Sequence, residues 1–308
     1  MVFRSTGTGA RKARELYSPQ RLVAKVVAGL LLGPLGLWRF LPSFQWGGKP
    51  EALLAKILAK SATEAEAVLL GNPEHLGRRA VILGAGKVLK IGVSGEAAKL
   101  VLSESEFLRE NGNGRDGLPS FSGSYREGGC VALAMPHYAD GELSRKQLIE
   151  LVQRWLSAEE VSIETLKGWQ MLAESPHEEA KEVIRRCQGI LLLPSLMHGD
   201  LAPWNVRVDE NGKPVLIDWE GGRERAIPGW DLVHFVFQTL VLVEKKSPED
   251  THKAVMNFLK SSEVDSYLEL SGWKDHEDVL FMSYLVAMAT EDSHISPILE
   301  RILNSFDK

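Results

Sequence analysis

Residues 196–220, LMHGDLAPWNVRVDENGKPVLIDWE, are the stretch that decides the fold. Asp200 is followed five residues later by Asn205, and a second acidic residue, Asp218, ends the second of two short predicted strands. The Asn-Gly pair at 211–212 predicts a β-hairpin between those strands, because both residues accept positive φ. The hairpin is expected to fold Asp218 back towards Asn205, so that two carboxylates and one amide carbonyl converge on one spot.

The order of these three side chains favours phosphoryl transfer. That reaction needs Mg²⁺ to neutralise the phosphate oxygens and a carboxylate to orient or deprotonate the attacking hydroxyl. In kinases a base Asp lies five residues before a metal-binding Asn, and a second metal-binding Asp follows. Asp200, Asn205 and Asp218 have this order. The alternative is an ordinary β-hairpin with an acidic rim, which the combination of motifs around Pro203 disfavours.

HGDLAPWN at 198–205 and LIDWE at 216–220 together resemble the signature of the aminoglycoside phosphotransferase and choline kinase family of small-molecule kinases. The resemblance implies a two-lobed protein-kinase-like α+β fold, with ATP and Mg²⁺ as cofactors. Gly199 stands where protein kinases have the Arg of HRD, which favours a small-molecule acceptor. PGWDLVHF at 228–235 is similar to the family helix whose buried acid, here Asp231, braces the catalytic loop. The WN and WDL variants look most like members associated with polysaccharide synthesis.

The composition is that of an ordinary globular protein. Among 308 residues, 44% are hydrophobic and 25% are charged, which is enough to bury a sizeable core. The net charge of −5 gives no case for binding nucleic acid. Two cysteines, Cys130 and Cys187, fit a reducing compartment rather than a disulfide framework, so we expect a cytoplasmic protein.

The N-terminal residues, 1–59, are predicted to form a basic and apolar extension. Residues 1–25 contain six basic side chains and one acidic side chain, and an apolar run follows at 26–38. The run is too short to span a bilayer. Three interpretations stay open: an accessory segment packed on the small lobe, an anchor with weak contact to anionic membrane surfaces, or a cleaved signal.

The small nucleotide-binding lobe is predicted over residues 60–137. Its predicted strands are 67–70, 79–83, 87–91 and 131–135. The last strand lies where the hinge between the lobes should be, so Met135 is expected to line the adenine pocket. The loop at 71–77 could cover the nucleotide phosphates. GAGK at 84–87 is not a P-loop, because a strand rather than a helix follows it.

Lys90 and Glu104 are predicted to form the pair that positions the nucleotide phosphates. Lys90 lies between apolar residues of a strand, where an unpaired charge is costly to bury. A helix is predicted from Ser94 to the stop at 111–112, and helical spacing places Glu104 on its apolar stripe. The alternative for Lys90 is a solvent-facing position in an alternating strand, which the inward-facing Glu104 disfavours.

The large lobe is predicted over residues 138–308. Its predicted helices are 142–156, 177–190, 230–244, 254–259, 278–288 and 298–302. The predicted function is ATP-dependent phosphorylation of a hydroxyl on a small molecule, such as a sugar or a sugar-lipid. Asp200 would be the base, Asn205 and Asp218 the Mg²⁺ ligands. The competing interpretation is a catalytically silent nucleotide-binding scaffold associated with a membrane surface.

Overall fold

The computed structural model describes residues 2–3, 67–70, 79–84, 86–93, 95–127, 129–291 and 301–302. Several sequence-based predictions lie outside the described residues. These are the N-terminal extension beyond its second and third residues, the loop at 71–77 and the helix cap at Ser94. Residues 298–300 of the last predicted helix also lie outside them.

The chain divides into two compact units. The first joins Met1–Gly141 to Arg207–Glu220, and the second joins Glu142–Val206 to Gly221–Lys308. The sequence-based boundaries, after residues 59 and 137, remain predictions. They treat the hairpin at 207–220 as part of the helical lobe, whereas its residues pack within the first unit.

Most of the strands lie in the first three quarters of the described chain, and its last four α-helices follow one another without an intervening strand. The strands are β1 (Val2–Phe3), β2 (Ala67–Leu70), β3 (Arg79–Gly84), β4 (Lys87–Gly92), β5 (Gly123–Glu127), β6 (Cys130–Pro136), β7 (Ala139–Asp140), β8 (Val161–Ser162), β9 (Leu191–Leu192), β10 (Ser195–Met197), β11 (Val206–Val208), β12 (Pro214–Leu216) and β13 (Arg223–Ala226). The α-helices are α1 (Gly95–Asn111), α2 (Arg145–Arg154), α3 (Trp169–Ala173), α4 (Glu179–Cys187), α5 (Trp230–Gln238), α6 (Pro248–Leu259), α7 (Asp265–Ser271) and α8 (Glu277–Glu291).

A six-stranded sheet forms the centre of the first unit, with the strand order β1-β2-β3-β4-β6-β5 and antiparallel pairing throughout. One face carries an apolar cluster of Ala80, Ile82, Leu89, Ile91, Ala132 and Ala134. Because side chains alternate along a strand, Lys90 and its cross-strand neighbour Leu133 lie on the opposite face. Met135, two residues after Leu133, shares that face and is buried.

Helix α1 packs against the same sheet through an inward stripe. The residues that helical spacing predicts to face inward are all buried: Ala97, Val101, Glu104 and Leu108. The approach is close at the start of the helix, where a Cβ on Gly92 would lie 2.2 Å from the carbonyl oxygen of Ala97. Only glycine fits there without displacing the helix, so Gly92 lets the strand that carries Lys90 run directly into the helix that carries Glu104.

The hairpin that leads to Asp218 turns over residues 209–213, between β11 and β12, where the sequence predicts the turn. Strand β11 is the middle strand of a three-stranded sheet, between β12 and β7. In the connecting loop, Asp209 Oδ1 accepts hydrogen bonds from the backbone N–H of Asn211 and Lys213, at 2.9 and 2.8 Å. Gly212 has φ 74°, but Asn211 does not have a positive φ, so that part of the prediction is wrong. A loop of this length needs a single left-handed residue, as in hairpins built on a type I turn.

The second unit is mainly helical. Every residue of α5 is buried, including the polar Asp231, His234 and Gln238. The predicted helix at 230–244 is interrupted, because α5 ends at Gln238 and a π-helical turn, Thr239–Val243, continues it. The short helices α3 and α7 were not predicted. Among the described residues, no helix combines the length and apolar character that crossing a bilayer requires.

Candidate active site

A buried lysine surrounded by three carboxylates is the centre of the first unit's candidate site. Lys90 Nζ lies 2.7 Å from Glu104 Oε2, 2.8 Å from Asp218 Oδ1 and 2.5 Å from Glu220 Oε1. Lys90 is 5% exposed and Glu104 is fully buried. The structure therefore brings Lys90, Glu104 and Asp218 together, and it adds Glu220, which the sequence analysis did not assign.

Burial and the nearby opposite charges shift the pKa values of Lys90 and Glu104 in opposite directions. Burial alone lowers the pKa of Lys90, but the charges of Asp218, Glu104 and Glu220 outweigh it and raise that pKa above its usual value. Burial raises the pKa of Glu104, and the charge of Lys90 counteracts part of that shift. The Lys90–Glu104 ion pair can be buried because each charge has a close partner of opposite sign, which offsets the desolvation penalty.

Glu104 also fixes the backbone that carries Asp218. Its Oε1 accepts a hydrogen bond from the backbone N–H of Trp219 at 3.2 Å. Trp219 stacks on Phe107 of α1 with ring centroids 5.2 Å apart, and its Nε1 donates to the carbonyl oxygen of Leu216 at 2.7 Å. Asp218 is held at φ 70°, a conformation that is uncommon outside glycine. The packing of Trp219 compensates for that strained backbone, which costs on the order of 1–3 kcal/mol.

Asp200 and Asn205 lie together in the second unit. Asn205 Nδ2 donates to the carbonyl oxygen of Asp200 at 2.8 Å and to its Oδ2 at 3.3 Å. A short 3₁₀ turn, Pro203–Asn205, sets this arrangement. The side chain of Asp200 is 57% exposed, so its carboxylate is open to a substrate. Asp218 belongs to the other unit, and the predicted convergence of Asn205 with Asp218 stays a prediction.

Asp231 holds the backbone of the same loop, in the position that the family resemblance implies. Its Oδ2 accepts a hydrogen bond from the backbone N–H of His198 at 2.5 Å, and its Oδ1 accepts one from Gly199 at 3.0 Å. Burial raises the pKa of Asp231, while His198 and the two backbone N–H groups favour the charged form. Gly199 has φ 86°, and a Cβ there would lie 2.8 Å from the carbonyl oxygen of Gly221, so only glycine fits.

His234 and Tyr284 complete the surroundings of Asp200, and the sequence analysis missed both. His234 Nε2 lies 3.2 Å from Asp200 Oδ1, and Tyr284 OH lies 3.0 Å from His234 Nδ1. His234 follows Asp231 by three residues on α5, and residues at that spacing share a helix face. That spacing is the one sequence signal that could have placed His234 beside the loop.

The sequence comparisons point to a phosphotransferase family. Residues 143–239 match the model of the family described as "Phosphotransferase enzyme family". The matched segment includes Asp200, Asn205, Asp218 and Asp231, although it covers less than half of the chain. No sequence among the curated proteins compared matches the chain significantly.

The fold is similar to that of solved aminoglycoside phosphotransferases. A thermostable mutant of APH(4)-Ia with ADP and hygromycin B has a TM-score of 0.54 and 11% identity, over 83% of this chain and 98% of that chain. A second complex of that enzyme, with AMP-PNP and hygromycin B, has a TM-score of 0.53 and 11% identity, over 84% and 99%. Macrolide 2′-phosphotransferase MphH from Brachybacterium faecium has a TM-score of 0.49 and 16% identity, over 82% and 98%. The two APH(4)-Ia complexes, with TM-scores above 0.5, confirm the predicted protein-kinase-like α+β fold.

Proposed function

We propose that the protein is an ATP-dependent phosphotransferase that phosphorylates a hydroxyl group of a small molecule. One observation carries the proposal: an exposed carboxylate, Asp200, is held by hydrogen-bonding groups on both of its oxygens. A base must be within hydrogen-bond reach of the proton that it accepts, and its geometry must be fixed. The family match at residues 143–239 includes this residue and supports the same class of reaction.

Asp200 is the proposed catalytic base. It would accept the proton of the acceptor hydroxyl while that oxygen attacks the γ-phosphorus of ATP and ADP leaves. Because its side chain is more than half exposed, the proton can pass on to solvent after transfer. The buried Asp231 holds the loop backbone and does not touch the substrate in this proposal.

Lys90 is proposed to bind the α- and β-phosphates of the nucleotide, as the paired strand lysine of kinases does. Glu104 would orient it from α1, at the observed 2.7 Å. Met135 shares the sheet face of Lys90 and is buried, which supports its proposed place in the adenine pocket. Asp218 and Glu220 contact the same ammonium group and would release it in part when phosphate oxygens bind.

The donor set of the first unit fits Mg²⁺. One carboxylate oxygen each from Glu104, Asp218 and Glu220 lie within 4.8 Å of one another, and hard oxygen donors are what Mg²⁺ prefers. The proposal that Asp218 and Asn205 are the Mg²⁺ ligands rests on their order in the sequence and not on a measured distance. When bound, Mg²⁺ would neutralise charge on the phosphate oxygens. Three carboxylates facing one ammonium group leave negative charge for a cation to balance.

The proposed acceptor is a sugar or a sugar-lipid. This proposal rests on the WN and WDL variants at 204–205 and 230–232, which look most like members associated with polysaccharide synthesis. The proposed location is the cytoplasm. The basic residues within 1–25 would add weak, salt-sensitive attraction to anionic membrane surfaces, at about 1 kcal/mol per cation near the surface.

A phosphorylation screen of small-molecule pools with labelled ATP and Mg²⁺ tests the proposal. Wild type is compared with Asp200→Asn and with a matched control, Asp209→Asn, which changes a partly exposed carboxylate of the hairpin turn and keeps an oxygen that can accept its hydrogen bonds. We expect one class of labelled product from wild type and from Asp209→Asn, and none from Asp200→Asn. Bound Mg-ATP without any labelled product from wild type would contradict the enzyme and favour a nucleotide-binding scaffold.

A further inference from the structure

A hydrogen-bonded series of three side chains leads from the proposed base into the core of the second unit. Asp200 Oδ1 lies 3.2 Å from His234 Nε2, and His234 Nδ1 lies 3.0 Å from the hydroxyl of Tyr284. His234 and Tyr284 are buried, whereas Asp200 is exposed. This series therefore connects a solvent-facing carboxylate to the buried side chains of His234 and Tyr284, which have little freedom to move.

The geometry points to His234 as a positioning residue for the phosphoryl-transfer reaction: its Nε2–H holds Asp200 Oδ1, and Tyr284 fixes the ring tautomer that allows this. The inference rests on the proposed function of Asp200 and goes beyond it, because it assigns a role to two residues of the core. His234 does not contact the reacting atoms. It acts through the orientation of the carboxylate that does.

Hydrogen-bonding rules determine the tautomer. An ionised carboxylate only accepts, so the ring nitrogen that faces Asp200 must carry the proton. In a neutral ring the other nitrogen, Nδ1, then accepts, and the hydroxyl of Tyr284 is the donor that faces it. Burial, and then the charges of Asp200 and Asp231, raise the pKa of Tyr284. Its hydroxyl therefore keeps the proton that it donates.

Packing makes the ring a rigid support. His234 and Tyr284 meet edge to face, with ring centroids 5.8 Å apart and an interplanar angle of 80°. Phe237 also packs against Tyr284, with ring centroids 5.7 Å apart. Two carboxylate oxygens then have separate roles: Oδ1 is anchored by His234, and Oδ2, with only the longer 3.3 Å contact from Asn205, is the oxygen that can turn to a substrate.

Matched variants separate positioning from folding. His234→Phe keeps a planar ring and removes the donor, whereas His234→Gln keeps an N–H donor at the reach of Nε2. His252→Phe is the control, because His252 contacts Phe281 rather than the catalytic loop. A misplaced reacting group can cost about 10²-fold. We therefore expect His234→Phe to lower kcat by about that factor with KM for ATP unchanged, and His234→Gln to recover much of it.

A double-mutant cycle sharpens the kinetic test. If His234 acts only through Asp200, His234→Phe should have no further effect on the residual rate of Asp200→Asn. Independent, multiplicative effects of the two changes would overturn the inference. Equal losses in His234→Phe and His234→Gln would also overturn it, because the loss would then reflect packing rather than the N–H donor.

Nitrogen NMR of the ring decides the inference without any substrate. In the resting wild-type protein we expect the proton of His234 on Nε2 and an unprotonated Nδ1. Tyr284→Phe should shift signal towards the other tautomer, while His252 stays unchanged. A neutral ring protonated on Nδ1 in wild type would overturn the inference. Absence of turnover in wild type, with the expected ring signals, would instead count against the proposed function alone.

Discussion

The candidate site residues fall into two halves, one in each unit, and each half is held by different forces. Around Lys90, three carboxylates surround one ammonium group, and ion pairing in a buried setting maintains the arrangement. Around Asp200, backbone N–H groups, an amide and a histidine ring hold the loop through directed hydrogen bonds. The first half depends on charge balance, so we expect it to exchange partners if phosphate oxygens bind there. The second half depends on geometry and is suited to holding one orientation.

The largest effect is expected when the charge of Asp200 is removed, in the half that depends on geometry. Asp200→Asn keeps the shape of the side chain and can still accept from His234, but it cannot take the proton of a hydroxyl. General-base assistance is worth about 10²- to 10⁴-fold, so kcat should fall by that range. Calorimetry should show Mg-ATP affinity close to that of wild type. Equal rates for wild type and variant with an accepted substrate would exclude Asp200 as the base.

The next effect concerns the half that depends on charge. Asp218→Asn keeps the side-chain shape and tolerates positive φ, but it removes one charge from the three carboxylates around Lys90. We expect Mg²⁺-dependent nucleotide binding to be lost while the fold survives, and Asp218→Ala to behave alike. Thermal melts measure this, because wild type with Mg-ATP at about 100 times its Kd gains about 2.7 kcal/mol.

The control for that measurement lies in the same hairpin. Glu210 is exposed, so Glu210→Ala removes a carboxylate of the turn without touching the cluster. Its melting temperature should rise with Mg-ATP as that of wild type does. A normal Mg-ATP shift in Asp218→Asn would show that this carboxylate does not bind the metal–nucleotide complex.

A smaller effect is expected from Glu104→Gln. Lys90 would lose one charged partner but keep Asp218 and Glu220. A hydrogen bond to a charged group is worth about 1.5–3 kcal/mol, so kcat/KM for ATP should fall about 10- to 100-fold. The matched control is Glu106→Gln, two residues along α1, which loses only an exposed pair with Arg126. If Glu106→Gln were the damaging change, the prediction that Glu104 rather than Glu106 orients Lys90 would be wrong.

The contact between Lys90 and Glu104 was predictable because each residue lies in a strongly periodic segment. Alternation in β4 and the four-residue spacing in α1 determine which way each side chain faces. Strand β5 was not predictable in the same way. Its sequence, GSYRE, has no apolar alternation, and its position at the sheet edge leaves it largely exposed.

The contact between Asp200 and His234 depends on information that local sequence does not contain. The three-residue spacing from Asp231 places His234 on the helix face that meets the loop, but it does not identify Asp200 as the partner, because the partner is set by where the loop crosses the helix. The contact of Glu220 with Lys90 was equally hard to predict. The triplet at 218–220 is a recognisable motif, but it is the turn after β12 that brings Glu220 to the same ammonium group as Asp218. Alternation alone would not indicate that contact.

The smallest expected effect tests the hairpin that carries Asp218. Gly212 has φ 74° and open space around its Cα, so Gly212→Ala should cost about 1–2 kcal/mol through backbone strain alone. Asn211 does not have a positive φ, so Asn211→Ala should change stability by less than about 0.5 kcal/mol. Urea unfolding measures both. Similar losses in the two variants would indicate that Asn211 is left-handed as well, as in a two-residue Asn-Gly turn. Because the strain lies in the loop and Asp218 Oδ1 contacts Lys90 on β4, Mg-ATP binding should survive either change.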